Sequence, residues 1–175
     1  GRNNDLVREH PDWLCLDENG EDWSMDSGPE RKAALDFSLP EVRDYIERVL
    51  DAIFGDWGFK GMKLDFCTYA FDCKDLRFRH GEGVRWWWWL CEQIRRRVSD
   101  RGIFQLCGYA PYGDPFIGLY ADHHRIGGDI GKGDWATHRS ISRTPLPMLS
   151  VPGRATCLMD VDSCGFAEKM TETEN

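Results

Sequence analysis

Two aspartates of this 175-residue chain stand where a protein can use a carboxylate for chemistry. Asp65 lies near the end of the short apolar run 59–66, and Lys63 precedes it by two residues, on the same face of a predicted strand. Asp129 ends the Gly-rich sequence Arg125-Ile126-Gly127-Gly128-Asp129. Two carboxyl groups on opposite sides of a glycosidic bond suffice for its hydrolysis, because one attacks or positions water while the other protonates the leaving oxygen. We therefore predict that the fold brings Asp65 and Asp129 to one pocket as catalytic carboxylates.

Each aspartate has a cationic residue close by in the sequence. Lys63 would favour the ionised carboxylate of Asp65 that a nucleophile requires. Arg125, four residues before Asp129, would place its guanidinium on a substrate hydroxyl beside the acid. Acidic residues at strand ends are common, so the spacing alone leaves a second interpretation open. In that interpretation either aspartate is a loop cap or an ion-pair partner.

The elements that must position these residues alternate between strands and helices. Short apolar runs predict strands at 33–37, 59–66, 103–108, 119–126 and 155–160. The order strand, helix, strand across 33–66 predicts a parallel pairing. A carboxylate at the C-terminal end of such a strand is where α/β barrels keep their catalytic groups. The sequence thus predicts an α/β fold, an incomplete (β/α)8 TIM barrel with roughly strands 3 to 7 and their helices.

Two segments have the periodicity of amphipathic helices, at 38–54 and 84–98. Ser38 and Glu41 have the spacing of a capping box at the start of the first helix, and Gly55 is the predicted C-cap. Each helix presents an apolar stripe, which predicts packing against a sheet.

The tryptophans permit two interpretations. Trp86 to Trp89 are consecutive, and neighbours on a helix point in different directions, so core packing is favoured over carbohydrate stacking for this run. Trp13 belongs to a second set that includes either a sugar-stacking platform or core residues, together with Trp23, Trp57 and Trp135.

Composition excludes several classes of protein. The chain is 41% hydrophobic and 30% charged, which is typical of a folded domain and not of a disordered or membrane-embedded one. The net charge of −8 argues against a nucleic-acid partner, because phosphate backbones bind positive surfaces. No apolar run approaches the roughly 18–20 residues that span a bilayer, so no membrane partner is predicted.

The seven cysteines indicate neither a disulfide framework nor a zinc knuckle, since their number is odd and no Cys-x-x-Cys pair occurs. This usage leans towards a reducing compartment such as the cytoplasm, and localisation otherwise stays open. A metal site formed by Cys107, Asp122, His123 and His124 is disfavoured, because adjacent histidines on a strand point to opposite faces.

The combined pattern resembles the retaining α-galactosidases (melibiases) of glycoside hydrolase family 36. The similar segments lie between about residues 10 and 165 and comprise His10-Pro11-Asp12-Trp13-Leu14, Leu35-Asp36, residues 40–46, Trp57-Gly58-Phe59, Lys63-Leu64-Asp65-Phe66, Cys107-Gly108 and residues 125–130. The Lys-x-Asp-Phe and Arg-Ile-Gly-x-Asp elements are specific together and weak apart. The resemblance implies that residues 1–175 are part of a (β/α)8 catalytic domain, a fragment whose early barrel strands would precede residue 1.

The resemblance also implies roles for individual residues. Asp65 matches the nucleophile that forms a covalent galactosyl-enzyme, and Asp129 matches the acid/base. The predicted substrate-binding residues are Lys63, Arg125, Cys107, Gly108, Asp36 and Trp13. A retaining mechanism places the two carboxyl groups roughly 5–5.5 Å apart.

The resemblance implies no metal and no organic cofactor, and an α-galactoside oligosaccharide as the substrate. A homo-oligomer is left open for the full-length parent. A related α-N-acetylgalactosaminidase or a raffinose-type α-galactosyl transferase would share both aspartates and stays an alternative. An inactive carbohydrate-binding barrel fragment is the alternative from another class of protein.

Overall fold

The computed structural model describes residues 4–27, 30–65, 75–81, 83–106, 117–125 and 159–160. The chain divides into two compact units. The first comprises Gly1–Phe59 and Cys67–Arg97, and the second comprises Lys60–Phe66 and Val98–Asn175. The predicted site residues Trp13 and Asp36 therefore belong to the first unit, whereas Lys63, Asp65 and Arg125 belong to the second.

Antiparallel pairing organises the N-terminal part of the first unit. Strands β1 (Ser24–Ser27) and β2 (Glu30–Ala33) form an antiparallel hairpin. Just beyond β2, the Cys15 N–H donates to the Ala34 carbonyl at 2.9 Å, and the Asp36 N–H donates to the Trp13 carbonyl at 2.7 Å. Four buried residues with two partly buried ones form a cluster here, namely Cys15, Trp23, Ala34 and Leu76 with Met25 and Phe78.

The predicted parallel strand at 33–37 is wrong in its pairing. Leu35 forms an antiparallel bridge with Leu14, so the partner of this segment is the N-terminal run 13–15. Within the described residues, the segment is not a strand of the parallel sheet. The physical reason is that backbone groups of this segment form hydrogen bonds with residues 13–15, which precede it in the chain. The helix that follows the segment therefore does not connect two parallel strands.

The first unit contains three helices among its described residues. Helix α1 (Asp5–Glu9) leads into a 3₁₀ turn at Pro11–Trp13. Helix α2 (Pro40–Asp51) continues as a π-helical turn at Ala52–Asp56. Helix α3 is Gly83–Arg97, close to the predicted 84–98. The two long helices predicted from periodicity are thus confirmed.

The ends of α2 differ from the prediction. Its N-cap is Leu39, without a side-chain cap, so the predicted capping box is wrong. The reason is that the Ser38 hydroxyl donates to Asp36 and accepts from the His80 N–H at 3.0 Å, so its oxygen does not accept from the helix N-terminus. At the C-terminal end, the helical turn continues past Gly55, the predicted C-cap. The glycine with a left-handed backbone after this helix is instead Gly58, with φ of 71°.

The tryptophan run of α3 packs as predicted in its first half. Trp86 and Trp87 are buried, with 8% and 2% of their surface exposed, and Trp88 and Trp89 are partly buried. Trp86 Nε1 donates to the His80 carbonyl at 2.7 Å. The tryptophan run therefore packs mainly in the protein interior and contributes less to a surface that could bind a ligand.

The second unit contains a parallel sheet whose strands follow the order of the chain. Its described strands are β3 (Met62–Leu64), β4 (Phe104–Leu106), β5 (His123–Arg125) and β6 (Met159–Asp160), in the order β3-β4-β5-β6. Each strand lies within a predicted strand. The first part of the predicted strand 119–126 is instead in helix α4 (Ile117–Tyr120).

This order agrees with an α/β fold of consecutive parallel strands. Among the described residues, however, four parallel strands form an open row and no closed barrel. The predicted strands 3 to 7 of a barrel are therefore found only in part. No helix of the described segments is long and apolar enough to cross a membrane.

Two glycines permit the close approach of the segments that lead into β3 and β4. A Cβ atom on Gly102 would lie 1.6 Å from the Lys60 carbonyl oxygen, and one on Gly61 would lie 2.4 Å from the Ile103 carbonyl oxygen. Both distances are far inside van der Waals contact with backbone atoms. Glycine at these two positions therefore helps to fix the register of β3 against β4.

Candidate active site

The register of the parallel sheet brings polar residues of three strands into one row. Lys63 pairs with Gln105, and Gln105 pairs with His123. The neighbouring row is formed by Leu64, Leu106 and His124. Because side chains alternate between the two faces of a sheet, the first row lies on the face opposite to the buried Phe104 and Leu106. This polar row lies just before the C-terminal edge of the strands.

Asp65 directly follows β3 at that edge. Lys63 Nζ lies 3.8 Å from Asp65 Oδ2, and the two side chains are 39% and 38% exposed. The predicted placement of the lysine beside the carboxylate is thus observed. The pair is open to solvent, so a ligand can reach both groups. Their roles as nucleophile and substrate ligand stay predictions.

Arg125 ends β5 at the same edge of the sheet. It comes directly after His124, which is in register with Leu106 of β4, and Leu106 is in register with Leu64 of β3. Arg125 and Asp65 are therefore equivalent in register, two strands apart. Strand spacings of about 4.8 Å put their backbones about 10 Å apart.

Asp129, Cys107 and Gly108 lie outside the described residues. The predicted meeting of the Asp65 and Asp129 carboxyl groups accordingly stays a prediction.

Asp36, in the first unit, is fully buried within a hydrogen-bond network. Its Oδ1 accepts from the Ser38 N–H at 2.9 Å and from the Ser38 hydroxyl. Its Oδ2 accepts from the Arg79 N–H at 3.0 Å and from Arg79 Nη1 at 3.1 Å. Four donors around a carboxylate with no exposed surface satisfy it without a ligand. Its predicted role in substrate binding is untested, and the observed contacts tie the end of the 30–36 segment to residues 79–80.

Arg79 is the residue of this network that the sequence did not single out. It also donates from Nη1 to the Leu14 carbonyl at 2.6 Å, so it joins three segments of the first unit. Arg79 lies in a polar, aperiodic stretch 43 residues from Asp36. No periodic sequence pattern links two residues so far apart. The only sequence signal for this network was the position of Asp36 in a predicted strand.

Cys15 lies next to this network. Burial raises the pKa of the Cys15 thiol far above its usual range, and the negative charge of Asp36 raises it further, whereas Arg79 lowers it. Its Sγ donates to the Leu35 carbonyl at 3.4 Å. The thiol is therefore a neutral packing group and not a nucleophile.

Trp13, the other predicted substrate residue of the first unit, is partly buried. Its ring stacks on His10, with centroids 3.8 Å apart and planes 13° apart, and the Tyr45 ring is tilted against it at 5.7 Å. One face of the indole is thus covered by an imidazole. Stacking of a sugar on Trp13 stays a prediction.

The described residues show no cluster of three or more His, Cys, Asp and Glu side chains arranged for a metal ion. Asp122, one residue of the metal alternative, has another contact. Its Oδ2 accepts from the Phe104 N–H at 2.9 Å, and its own N–H donates to the Phe104 carbonyl at 2.9 Å. This reciprocal pair braces the approach to β5 against β4.

No protein-family model matches the chain, and no curated protein sequence is similar to it. Solved structures are similar in fold. The chain resembles an α-galactosidase from Thermus thermophilus in complex with stachyose, with a TM-score of 0.56 and 23% identity over 87% of this chain and 30% of that one. It resembles the GH36 α-galactosidase AgaA from Geobacillus stearothermophilus, with a TM-score of 0.57 and 19% identity over 82% and 20%.

A third similar structure has another substrate. It is a GH31 family sulfoquinovosidase from E. rectale, with a TM-score of 0.54 and 15% identity over 76% of this chain and 21% of that one. The chain thus spans less than a third of the length of these solved structures. At such identities the comparisons show the fold alone, which is similar to that of a segment of each of these structures.

Proposed function

We propose that this chain is part of the catalytic domain of a glycoside hydrolase that removes terminal α-D-galactosyl residues by a retaining mechanism. The observation that carries the proposal is the solvent-exposed Lys63–Asp65 pair at the C-terminal edge of a parallel sheet. Arg125 ends a strand of the same sheet at an equivalent register position. Catalytic groups of α/β barrels lie at this edge.

The proposal includes a (β/α)8 barrel to which the four parallel strands belong. Their order along the sheet equals their order along the chain, as successive strands of such a barrel require. The fold similarity to α-galactosidases supports this assignment.

In the proposed mechanism, a carboxylate oxygen of Asp65 attacks the anomeric carbon and displaces the aglycone. Asp129 gives its proton to the departing glycosidic oxygen, which leaves a covalent galactosyl-enzyme. Asp129 then takes a proton from water, and the resulting hydroxide equivalent releases galactose and restores Asp65. The Lys63 ammonium lies 3.8 Å from Asp65 and donates to a hydroxyl group of the sugar.

The α-galactoside substrate is supported by similar proteins. One of them was solved with p-nitrophenyl α-D-galactopyranoside and with stachyose. An α-N-acetylgalactosaminidase or a raffinose-type transferase would use the same two aspartates. Residues at the strand ends decide among these activities, since they contact the sugar substituents.

Hydrolysis of 4-nitrophenyl α-D-galactopyranoside by the full-length protein that contains this chain tests the proposal. Replacing Asp65 by Asn should lower kcat by roughly 10⁴-fold, because the nucleophile is lost while the shape is kept. The matched control is Asp51→Asn, since Asp51 is an exposed carboxylate that pairs with Arg97 in the first unit. Equal turnover by the wild type and Asp65→Asn would refute the nucleophile assignment.

The stereochemistry of the first product tests the retaining mechanism separately. Proton NMR should detect α-galactose before mutarotation forms the β anomer. Initial release of β-galactose would show inversion and would exclude a galactosyl-enzyme on Asp65.

A further inference from the structure

A short exposed loop closes a hairpin in the first unit. Leu16 and Asp22 form an antiparallel bridge at its base. Next to this bridge, the Asp17 N–H donates to the Glu21 carbonyl at 2.7 Å. Residues 18–20 lie between these two residues, and all of them are exposed. Hairpin loops of this length are commonly a type I turn followed by a residue in the left-handed region.

The loop contains the dipeptide Asn19-Gly20. Among the four asparagines of the chain, only Asn19 precedes a glycine. Gly20 is the left-handed residue of the loop, with φ of 84°. Because glycine has no Cβ, its backbone nitrogen is the least hindered of all residue types towards the side chain before it. The space around Gly20 is also open, since a Cβ there would meet no atom within 4 Å.

Such a dipeptide can react without an enzyme. The Gly20 nitrogen loses its proton to hydroxide and attacks the side-chain amide carbon of Asn19. The carbon–nitrogen bond of the side-chain amide breaks, and the departing NH₂ group takes a proton from water and leaves as ammonia. Water then opens the cyclic imide at either carbonyl, which gives aspartate or isoaspartate. The net reaction consumes water and releases ammonia, with no oxidation or reduction.

Hydrogen bonds of the turn oppose this reaction. The Gly20 N–H donates to the Asp17 carbonyl at 3.2 Å, and this bond must break before the nitrogen can lose its proton. Asp17 Oδ1 accepts from the Asn19 N–H at 2.8 Å and from the Glu21 N–H at 3.0 Å. These contacts lower the pKa of Asp17, with the Glu21 N–H as the largest cause and Asn19 next. The ionised carboxylate therefore holds the loop in its closed form.

The reaction would change the loop in two ways. Either product adds a negative charge to a loop that already has carboxylates at positions 17, 18, 21 and 22. Isoaspartate also inserts the side-chain methylene into the backbone. The lengthened loop no longer matches the short connection between Asp17 and Glu21, so the modification weakens the closure of the hairpin.

We propose that Asn19 is a site of spontaneous deamidation and that the turn closed by Asp17 sets the rate of this reaction. The reaction proceeds from the open form of the loop, in which the Gly20 N–H is released from the Asp17 carbonyl. The modification lies in the first unit and needs no substrate, so it is independent of the proposed function.

Incubation of the full-length protein that contains this chain in mildly alkaline buffer tests the site. Peptide mass spectrometry should detect the exchange of NH₂ for OH at Asn19 sooner than at Asn4. Asn4 is a matched reference, because its side chain also accepts a backbone N–H, that of Leu6 at 2.9 Å, but Asp5 follows it. Asn19→Gln should lose the modification, since its longer side chain disfavours closure of the ring.

Asp17→Ala tests the role of the turn. It should raise the rate at Asn19 about threefold to tenfold, because the net contribution of a hydrogen bond corresponds to a factor of this order. The matched control is Glu18→Ala, which removes a carboxylate from the same loop and leaves the Asp17 acceptor in place. It should change the rate by less than about twofold, since salt screens exposed charges.

If Asp17→Ala does not fold, the wild type provides the comparison. In a urea concentration that unfolds the protein, Asn19 should react faster than in the native protein by at least the factor expected for Asp17→Ala. A native rate at Asn19 no higher than that at Asn4 would overturn the assignment of the site. Equal rates in the wild type and folded Asp17→Ala, or in native and unfolded wild type, would overturn the role of the turn.

Discussion

Replacing Asp36 by Asn tests whether this buried carboxylate serves the fold or a substrate. Asparagine has the same shape, but one acceptor oxygen becomes an NH₂ donor. If the remaining oxygen keeps its bonds to Ser38, the new NH₂ group faces the Arg79 N–H at 3.0 Å and Arg79 Nη1 at 3.1 Å. Donors would then face donors inside the protein, and the ion pair would be lost.

The expected loss of stability follows from the burial of the pair. Breaking a buried ion pair by changing one partner costs about 3–5 kcal/mol. The Arg79 side chain is 28% exposed and keeps the Leu14 carbonyl at 2.6 Å, so the lower end of that range, about 3 kcal/mol, is appropriate. For a chain of this size, about 2–4 °C per kcal/mol gives a fall of roughly 6–12 °C in Tm.

Thermal unfolding followed by near-UV circular dichroism measures the effect close to the substitution. Trp86 bonds to the His80 carbonyl, and the His80 N–H donates to the Ser38 hydroxyl that contacts Asp36. The matched control is again Asp51→Asn, whose side chain is 65% exposed and pairs with Arg97 at 2.6 Å. An exposed pair of this kind contributes about 0–1 kcal/mol.

A fall in Tm for Asp36→Asn no greater than that for Asp51→Asn would refute the structural role. An unchanged Tm together with a raised KM for an α-galactoside would assign Asp36 to substrate binding instead. The two outcomes are distinct, because a ligand contact has no effect on the stability of the free protein.

The close backbone contact and the buried thiol give further tests. Gly102→Ala should destabilise the protein by about 1–3 kcal/mol or more in urea unfolding, since its Cβ would lie 1.6 Å from the Lys60 carbonyl oxygen. Gly55→Ala is the control with no atom within 4 Å of its Cβ, and it should change stability by less than about 1 kcal/mol; equal effects of both would contradict the argument. The pKa of the Cys15 thiol is raised above 9.0 in the folded state, so stability should fall as pH rises above about 9, where the unfolded thiol ionises first. Cys15→Ala should flatten this dependence in urea unfolding between pH 7 and 10.5, and an identical slope in both proteins would rule out the thiol as its cause.

Much of the described part of the second unit could be predicted from the sequence, because its strands are short apolar runs between polar segments. The strands found at Met62–Leu64 and Phe104–Leu106 lie inside predicted runs, and their parallel pairing follows from the helix between them. The Lys63–Asp65 pair could likewise be predicted, since residues two apart on a strand share a face. Patterns that depend on local spacing were sufficient for these features.

The pairing of residues 33–37 could not be predicted in this way. An apolar run indicates burial but does not identify the segment that forms hydrogen bonds with its backbone. Here the partner is the run 13–15, which is too short and irregular to have a period. The cap of α2 failed for a related reason, because the Ser38 hydroxyl oxygen accepts from the His80 N–H and not from an N–H group at the helix N-terminus.

The fold alone does not decide which sugar such a site accepts. An α-galactosidase and a sulfoquinovosidase each match the chain with a TM-score of 0.54. Similar backbones therefore occur in an enzyme for a neutral sugar and in one for a sulfonated sugar. Discrimination must then come from charge at the strand ends. The Lys63 ammonium already faces the carboxylate of Asp65 at 3.8 Å, so an anionic substituent placed there would meet Asp65 as well.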